Sequence, residues 1–370
     1  MMKDDEYLEL VRSLNKKQKD FFYHVMKCVK TDLEPFHIFL TGGAGVGKTA
    51  VVTAVYQMLI RYFNKEKGEN PDEVKVLLGA PTGKAAFLIH GYTLHSLFHI
   101  PASQGFSYKA LTSNKLNSLR CKFSAVRVLI IDEISMVGNQ MFNFIHQRLQ
   151  QIMGTSLPFG GLSVIAVGDL YQLKPVFDGW VFDDLTHCYG PLAVNLWKEY
   201  FYVYKLENMR QKDDQQYALL LNRLRTGTHT SKDIDILTTR TVENNKDLAY
   251  PLFTPHIFLK NELVDMHNNK VFLQAPISAQ ISINAFDTVV GDVSEDVKLK
   301  IKASIPNDCT KTMGLLKTLQ TAVGLRVELS TNVDVEDGLA NGASCIVMSV
   351  RVDARTLKPM QVWVKFDYKT

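Results

Sequence analysis

The chain has 370 residues, 46% of them hydrophobic and 22% charged, which excludes a disordered segment and favours two or three domains. No apolar run approaches the ~18 residues that span a bilayer, and the acidic start MMKDDEYLEL fits neither a signal peptide nor an organelle presequence. The net charge of +4 is regional: residues 74–131 hold seven Lys or Arg and no Asp or Glu, which reads as a surface for a polyanion or else an ordinary solvated face.

In chain order, Asn15-Lys-Lys-Gln18 has the spacing of a capping box. Phe21, Phe22, Val25 and Met26 behind it form the apolar stripe of a helix. Short apolar runs then recur at 37–40, 74–78, 126–131, 163–167 and 201–204, several of them β-branched. Amphipathic stretches lie between them, as at Thr49–Phe63 and Met136–Met153, with a polar loop at Asn64–Asp72. Strand, turn and helix at this spacing predict an α/β parallel sheet with crossover helices, whose ligand chemistry gathers at the carboxyl ends of the strands. Beyond residue 210 a helix is expected over Gln215–Arg225, ending near Gly227, and a second from about Ser231. From residue 323 the pattern alternates through Leu325–Leu329, Ser344–Val352 and Gln361–Phe366, with turns at Asp337-Gly338 and Asn341-Gly342, which predicts a small antiparallel unit. Five scattered cysteines without a C-x-x-C pair argue against a disulfide framework or a zinc site and fit a reducing, intracellular compartment.

The first run leads into Gly42-Gly43-Ala44-Gly45-Val46-Gly47-Lys48-Thr49, a full G-x-x-x-x-G-K-[ST] phosphate loop, with Ala50 continuing the helix behind it. Its glycines let backbone N–H groups face the phosphates of a nucleoside triphosphate. Lys48 reaches the β/γ oxygens and the Thr49 hydroxyl is a ligand for Mg²⁺. The run ending at Ile131 delivers Asp132 and Glu133 at a strand end. Asp132 suits the metal and Glu133 the attacking water; an acidic helix start is the plainer alternative. In Gly168-Asp-x-x-Gln172, the uncharged Gln172 suits sensing of the γ-phosphate or the attacking water, unless it is a loop glutamine. Arg210, after the fifth run, has the placing of an arginine finger across an interdomain cleft, or of a surface ion pair with Asp213.

These segments occur in order with Ala80-Pro-Thr-Gly-Lys-Ala-Ala86, Thr93-Leu-His95 and Glu207-Asn-x-Arg-Gln211. Together they closely resemble the Pif-type (RecD-like) group of superfamily-one DNA helicases, over essentially the whole chain. The resemblance implies a RecA-like motor that uses ATP and Mg²⁺ to move 5′ to 3′ on single-stranded DNA and to open forked or tailed duplexes. It implies that Gln18 reads adenine, beside its capping role, and that Lys48, Thr49, Asp132, Glu133, Gln172 and Arg210 serve ATP. Thr82, Lys84, Thr93 and His95 fall on its DNA-tracking segments, and a nuclear location, or alternatively a mitochondrial one, follows from the family.

Two departures stand out. Lys174 replaces a usual proline. No Thr-His-Lys-Ser-Gln-Gly or Ala-Leu-Ser-Arg segment is found, and in the family these complete the second motor domain. The expected organisation is therefore a first motor domain over 1–205, with a basic insert at about 101–122 that carries Phe106 and Tyr108 to the DNA fork. The opening of a second motor domain follows over 206–322, and a partial β-barrel-like insertion over 323–370. The expected activity is an incomplete ATP-dependent helicase; the alternatives are a non-motor P-loop NTPase and a silent DNA-binding remnant. No protein partner is legible.

Overall fold

Six strands form one parallel sheet in the order β3-β2-β4-β5-β1-β6. They are β1 (His37–Gly42), β2 (Val76–Ala80), β3 (Tyr92–Thr93), β4 (Val128–Ile131), β5 (Ser163–Gly168) and β6 (Tyr202–Leu206). The four inner strands are buried almost throughout, as continuous Val/Ile/Leu runs require of a sheet covered on both faces. Edge strand β6 is mostly exposed, and only Leu206 at its end is buried. The structure is a computed structural model and describes the chain apart from residues 1, 32–33, 44, 66–69, 71, 102–107, 186–193, 208–214, 242–253, 307–310, 313, 354–358 and 368–370.

Helices occupy both stretches expected between the strands, Thr49–Phe63 and Met136–Met153, the second starting at Asn139, and shorter helices not expected from the sequence join them. Before the sheet come α1 (Asp4–Ser13) and α2 (Lys16–Thr31), the latter opening on the expected capping box: Gln18 N–H donates to Asn15 Oδ1 at 3.0 Å, and Asn15 N–H to Gln18 Oε1 at 2.8 Å. Then follow α3 (Lys48–Phe63), α4 (Gly83–Leu88), α5 (Leu94–Phe98), α6 (Ser113–Phe123), α7 (Asn139–Met153) and α8 (Leu196–Tyr200). Helix α7 buries Phe142, Phe144, Ile145 and Leu149 in the core that also holds Phe39, Leu129, Phe159 and Trp197. The two-residue strand β3, absent from the sequence reading, pairs with the end of β2 through Gly79–Tyr92 and Ala80–Thr93.

The chain forms two compact units, residues 1–240 and 241–370. Helices α9 (Gln215–Thr226) and α10 (Ser231–Thr238), expected beyond a boundary near 205, belong to the first unit. In the second unit, α11 (Asn261–Gln274) and α12 (Glu295–Ala303) accompany an antiparallel pair, β7 (Gln280–Asn284) with β8 (Thr318–Ala322). A three-stranded antiparallel sheet follows, with β10 (Ser344–Val352) between β9 (Arg326–Glu328) and β11 (Pro359–Phe366). Among the described residues no helix is long and apolar enough to cross a membrane.

Candidate nucleotide site and polyanion-facing segments

Strand β1 ends at Gly42 and α3 begins at Lys48, so the phosphate loop joins a buried strand to a helix N-terminus. Gly45 and Gly47 have φ of 74° and 79°, a left-handed conformation costly for residues with a Cβ. Gly42 is constrained by space instead: a Cβ there would lie 2.8 Å from both the Leu206 carbonyl and the Val46 side chain. Val46 is buried, Thr49 is exposed and Ala50 is half-buried, while Ala44 lies outside the described residues. Lys48 Nζ donates to the carbonyls of Gly42 and Gly43 at 2.8 and 3.1 Å. Burial pushes its ammonium pKa below the ordinary lysine value, against the opposing pull of Asp169, Glu133 and Asp132 in that order.

Strands β4, β5 and β1 are neighbours, and their carboxyl ends bring Asp132–Glu133, Asp169 and the phosphate loop together. Glu133 has φ 52°, a strained backbone for a residue with a side chain, and its N–H donates to Asp132 Oδ1 at 2.9 Å. Burial raises the Asp132 carboxyl above the usual range, with Lys48 opposing it. Glu133 is also raised, first by burial and then by the negative charge of Asp132. The site thus holds carboxylates that gain from a cation. Among the described residues no group of three His, Cys, Asp or Glu could hold a metal by itself.

Gln172 is exposed and its Nε2 donates to Asp169 Oδ2 at 3.4 Å. Asp169 is buried and carries a two-pronged ion pair with Arg225 of α9, a partner 56 residues along the chain that the sequence reading missed. No spacing signal links them; only the closing of α9 onto the end of β5 does. Gln18 is fully buried, and its Nε2 donates to the Val46 carbonyl at 2.8 Å. Its capping and loop-facing roles therefore coexist. Arg210 lies outside the described residues.

The polyanion-facing candidates follow β2 and β3. Thr82 Oγ1 accepts from the Ala85 N–H and Thr93 Oγ1 from the Ser96 N–H, each at 3.3 Å, so both threonines are the N-caps of α4 and α5. Lys84 is exposed in the first turn of α4. His95 is half-buried, and burial lowers its pKa. Lys122 Nζ sits 3.8 Å from the Tyr92 ring centre, a cation–π contact.

Tyr108, expected at a fork, turns inward: its hydroxyl donates to Gln151 Oε1 at 2.8 Å and its ring meets Phe144. Beneath it the buried Arg148 donates to the carbonyls of Phe98 and Lys109, both at 3.1 Å, fastening the root of the insert to α5 and α7. A ring whose hydroxyl finds a partner at the core is stabilised there more than in water. Phe106 lies outside the described residues.

Comparison with known proteins agrees with this geometry. The family described as PIF1-like helicase matches residues 13–234. The ATP-dependent DNA helicase PIF1 of Candida albicans is 30% identical over 85% of this chain and 33% of its own length. The Xenopus laevis protein of that name is 27% identical over 86% of this chain and 45% of its own. The chain thus spans less than half the length of these two relatives. Among solved structures, the Pif1 helicase of Candida albicans aligns with a TM-score of 0.63 at 25% identity, covering 96% of this chain and 77% of that one. Bacteroides Pif1 in complex with ADP-AlF3 and single-stranded DNA aligns with a TM-score of 0.60 at 25% identity, covering 96% and 72%.

Proposed function

Because the chain belongs to the PIF1-like helicase family, we propose that it carries the ATP-hydrolysing part of a DNA helicase, which couples ATP hydrolysis to 5′-to-3′ movement on single-stranded DNA and to opening of forked or tailed duplexes. The observation that carries this reading is the meeting of the phosphate loop with Asp132 and Glu133 at the ends of neighbouring parallel strands.

In this reading the loop N–H groups and the α3 N-terminus hold the inner phosphates, and Lys48 leaves the Gly42 and Gly43 carbonyls for the β/γ oxygens. Glu133 takes the proton of the attacking water, and Gln172 orients that water or the γ-phosphate. Asp132 and the Thr49 hydroxyl are hard oxygen donors of the kind that would hold Mg²⁺. Bound there, Mg²⁺ would neutralise charge on the phosphates. Gln18 reads adenine and Arg210 serves as the arginine finger. Thr82, Lys84, Thr93 and His95 follow the DNA strand, along the acid-free stretch.

The test is ATP turnover by the purified chain with and without single-stranded DNA, beside a Lys48→Ala variant, which removes the loop's charge on the phosphates and should abolish turnover. DNA-stimulated turnover that disappears in the variant supports the reading. Turnover indifferent to DNA favours a non-motor NTPase, and salt-sensitive DNA binding without turnover favours a silent remnant. Opening of a 5′-tailed duplex but not a 3′-tailed one tests the polarity.

A further inference from the structure

Asp169 and Arg225 have no part in the chemistry above, yet they adjoin the phosphate loop. The Arg225 guanidinium grips both carboxylate oxygens of Asp169, Nε on Oδ2 and Nη2 on Oδ1, each at 2.5 Å. Nη1 donates to Asn222 Oδ1 at 3.1 Å, and the Tyr171 ring centre lies 4.6 Å from Cζ. Three of the five guanidinium N–H donors are used in this way, which leaves one on each Nη nitrogen. The group is thus fixed on one edge and on one face, and its position does not depend on a long flexible stem.

What adjoins the guanidinium is Gly43. A Cβ on Gly43 would lie 3.8 Å from Nη1 and 3.9 Å from Cζ of Arg225. The Gly43 carbonyl is also one of the two that receive Lys48 Nζ, so two cations flank the same glycine. The loop runs from Gly42 to the helix start at Lys48, where the inner phosphates are held. The Gly43 end, where Lys48 Nζ lies, is therefore the γ end. A Cβ at 43 would meet the guanidinium at ordinary van der Waals distance, so loop and guanidinium are direct neighbours.

Resting on the ATP-site reading, we propose that Arg225 is a specificity-determining residue, which donates to the γ-phosphate of a bound nucleoside triphosphate and so distinguishes it from a diphosphate, with Asp169 as the positioning residue that aims it. A guanidinium suits this task because its charge is permanent and its planar fork serves a carboxylate and a phosphate together. Asp169 is also the carboxylate whose charge acts most strongly on Lys48, while Lys48 Nζ itself is held by the Gly42 and Gly43 carbonyls.

The test is the affinity of the purified chain for a fluorescent non-hydrolysable ATP analogue and for fluorescent ADP, each with Mg²⁺. Arg225→Gln should weaken the triphosphate analogue ~10-fold or more, the worth of a charge-assisted hydrogen bond, and leave ADP within ~3-fold. Asp169→Asn should move the same ratio in the same direction, and Arg225→Lys should restore part of it. Equal weakening of both nucleotides, or no change in their ratio, would overturn the proposal and leave the pair a structural one. Should a single variant fail to fold, the double variant Asp169→Asn/Arg225→Gln removes both charges together and must show the same selective loss. If the wild-type chain binds neither nucleotide, the ATP-site reading itself fails and takes this inference with it.

Discussion

Gln18 is tied to the phosphate loop through Val46, whose carbonyl accepts from Gln18 Nε2 at 2.8 Å while Gln18 Oε1 accepts from the Asn15 N–H at 2.8 Å. One side chain therefore closes the first turn of α2 and steadies the loop that α3 extends. A primary amide has two N–H donors and two acceptor lone pairs; Nε2 also donates to the Gly47 carbonyl at 3.5 Å, so one acceptor lone pair is left over and the second donor is held by a long bond. Reading the N7 and N6 edge of adenine takes one donor and one acceptor, so the long bond to Gly47 would have to open.

The expected outcome for Gln18→Ala has two parts. Loss of the cap and of the buried bond to Val46 should lower unfolding stability by about 1–2 kcal/mol, read from denaturant melts. If the remaining acceptor and the donor released from Gly47 read adenine, the preference for ATP over GTP should shrink as well. Equal weakening of ATP and GTP would leave Gln18 a purely structural link.

Glu133 occupies a strained backbone position beside Asp132, and burial, then the charges of Asp132 and Asp169, raise its carboxyl pKa against the opposing pull of Lys48. Glu133→Gln should retain ATP·Mg²⁺ binding and slow hydrolysis by ~100-fold or more, since the amide keeps the shape and loses the base. A base must be deprotonated to act, so a raised pKa moves the acid limb of the rate profile to higher pH than an ordinary glutamate, near 4.3, would give. A kcat–pH series on the wild type, beside the variant, measures both. An acid limb at or below the ordinary value would move the base to another group.

The part of the site legible in the sequence is the part whose chemistry is local. Gly42–Thr49, Asp132–Glu133 and Gly168–Gln172 each follow a β-branched run, so the strand end and the reacting groups are read together. The pair Asp169–Arg225 was not legible, because it depends on α9 returning to the end of β5. The packing of Tyr108 is not legible in the sequence for a related reason. A basic, aromatic segment reads as a nucleic-acid surface, but its tyrosine hydroxyl finds Gln151 on α7. Thr82 and Thr93 show that a helix cap and a candidate DNA contact occupy the same residue, and the hydroxyl hydrogen of each remains a donor. Strand β3 was missed because two residues carry no periodicity. The alternating pattern after 323 was read correctly, since antiparallel strands with glycine turns declare themselves locally: Gly338 and Gly342 have φ of 77° and 83°.

The acid-free stretch gives a prediction that separates a polyanion surface from a solvated face. Lys84 is exposed at the start of α4, Lys109 adjoins the root of the insert, and Lys122 is stacked on Tyr92. Neutralising Lys84, Lys109 and Lys122 together to Gln should weaken single-stranded DNA binding. Each lysine that meets a phosphate should also reduce the log K against log salt slope by ~0.7. An unchanged slope in the triple variant would restore the plain solvated face. Because Tyr92 holds Lys122 by its ring, Lys122→Gln alone should change the slope less than Lys84→Gln.

Two histidines make stability depend on pH at the end of β1 opposite the phosphate loop. The His37 ring packs against Phe159, Tyr200 and Phe201, with its Nε2 on the Leu162 carbonyl at 3.2 Å, and His146 Nδ1 accepts from the Phe159 N–H at 3.1 Å. Burial pushes the pKa of each ring down to about 4, and for His146 the neighbouring His37 adds to the effect. Unfolded, both rings titrate near 6.5. Between those values the unfolded chain binds more protons than the folded one, so stability rises with pH across the window. The full contribution is present above about 6.5 and is lost as pH falls to about 4, on the order of 3 kcal/mol per ring. His37→Phe suits its aromatic surroundings and removes one of the two titrations. Carboxylates that also titrate in the window are common to both proteins, so the difference between their melting curves isolates the histidine. Melting temperatures taken from pH 7.5 to pH 4.5 should therefore fall less steeply in the variant. Parallel curves would mean that His37 is already solvated enough to accept its proton in the folded chain.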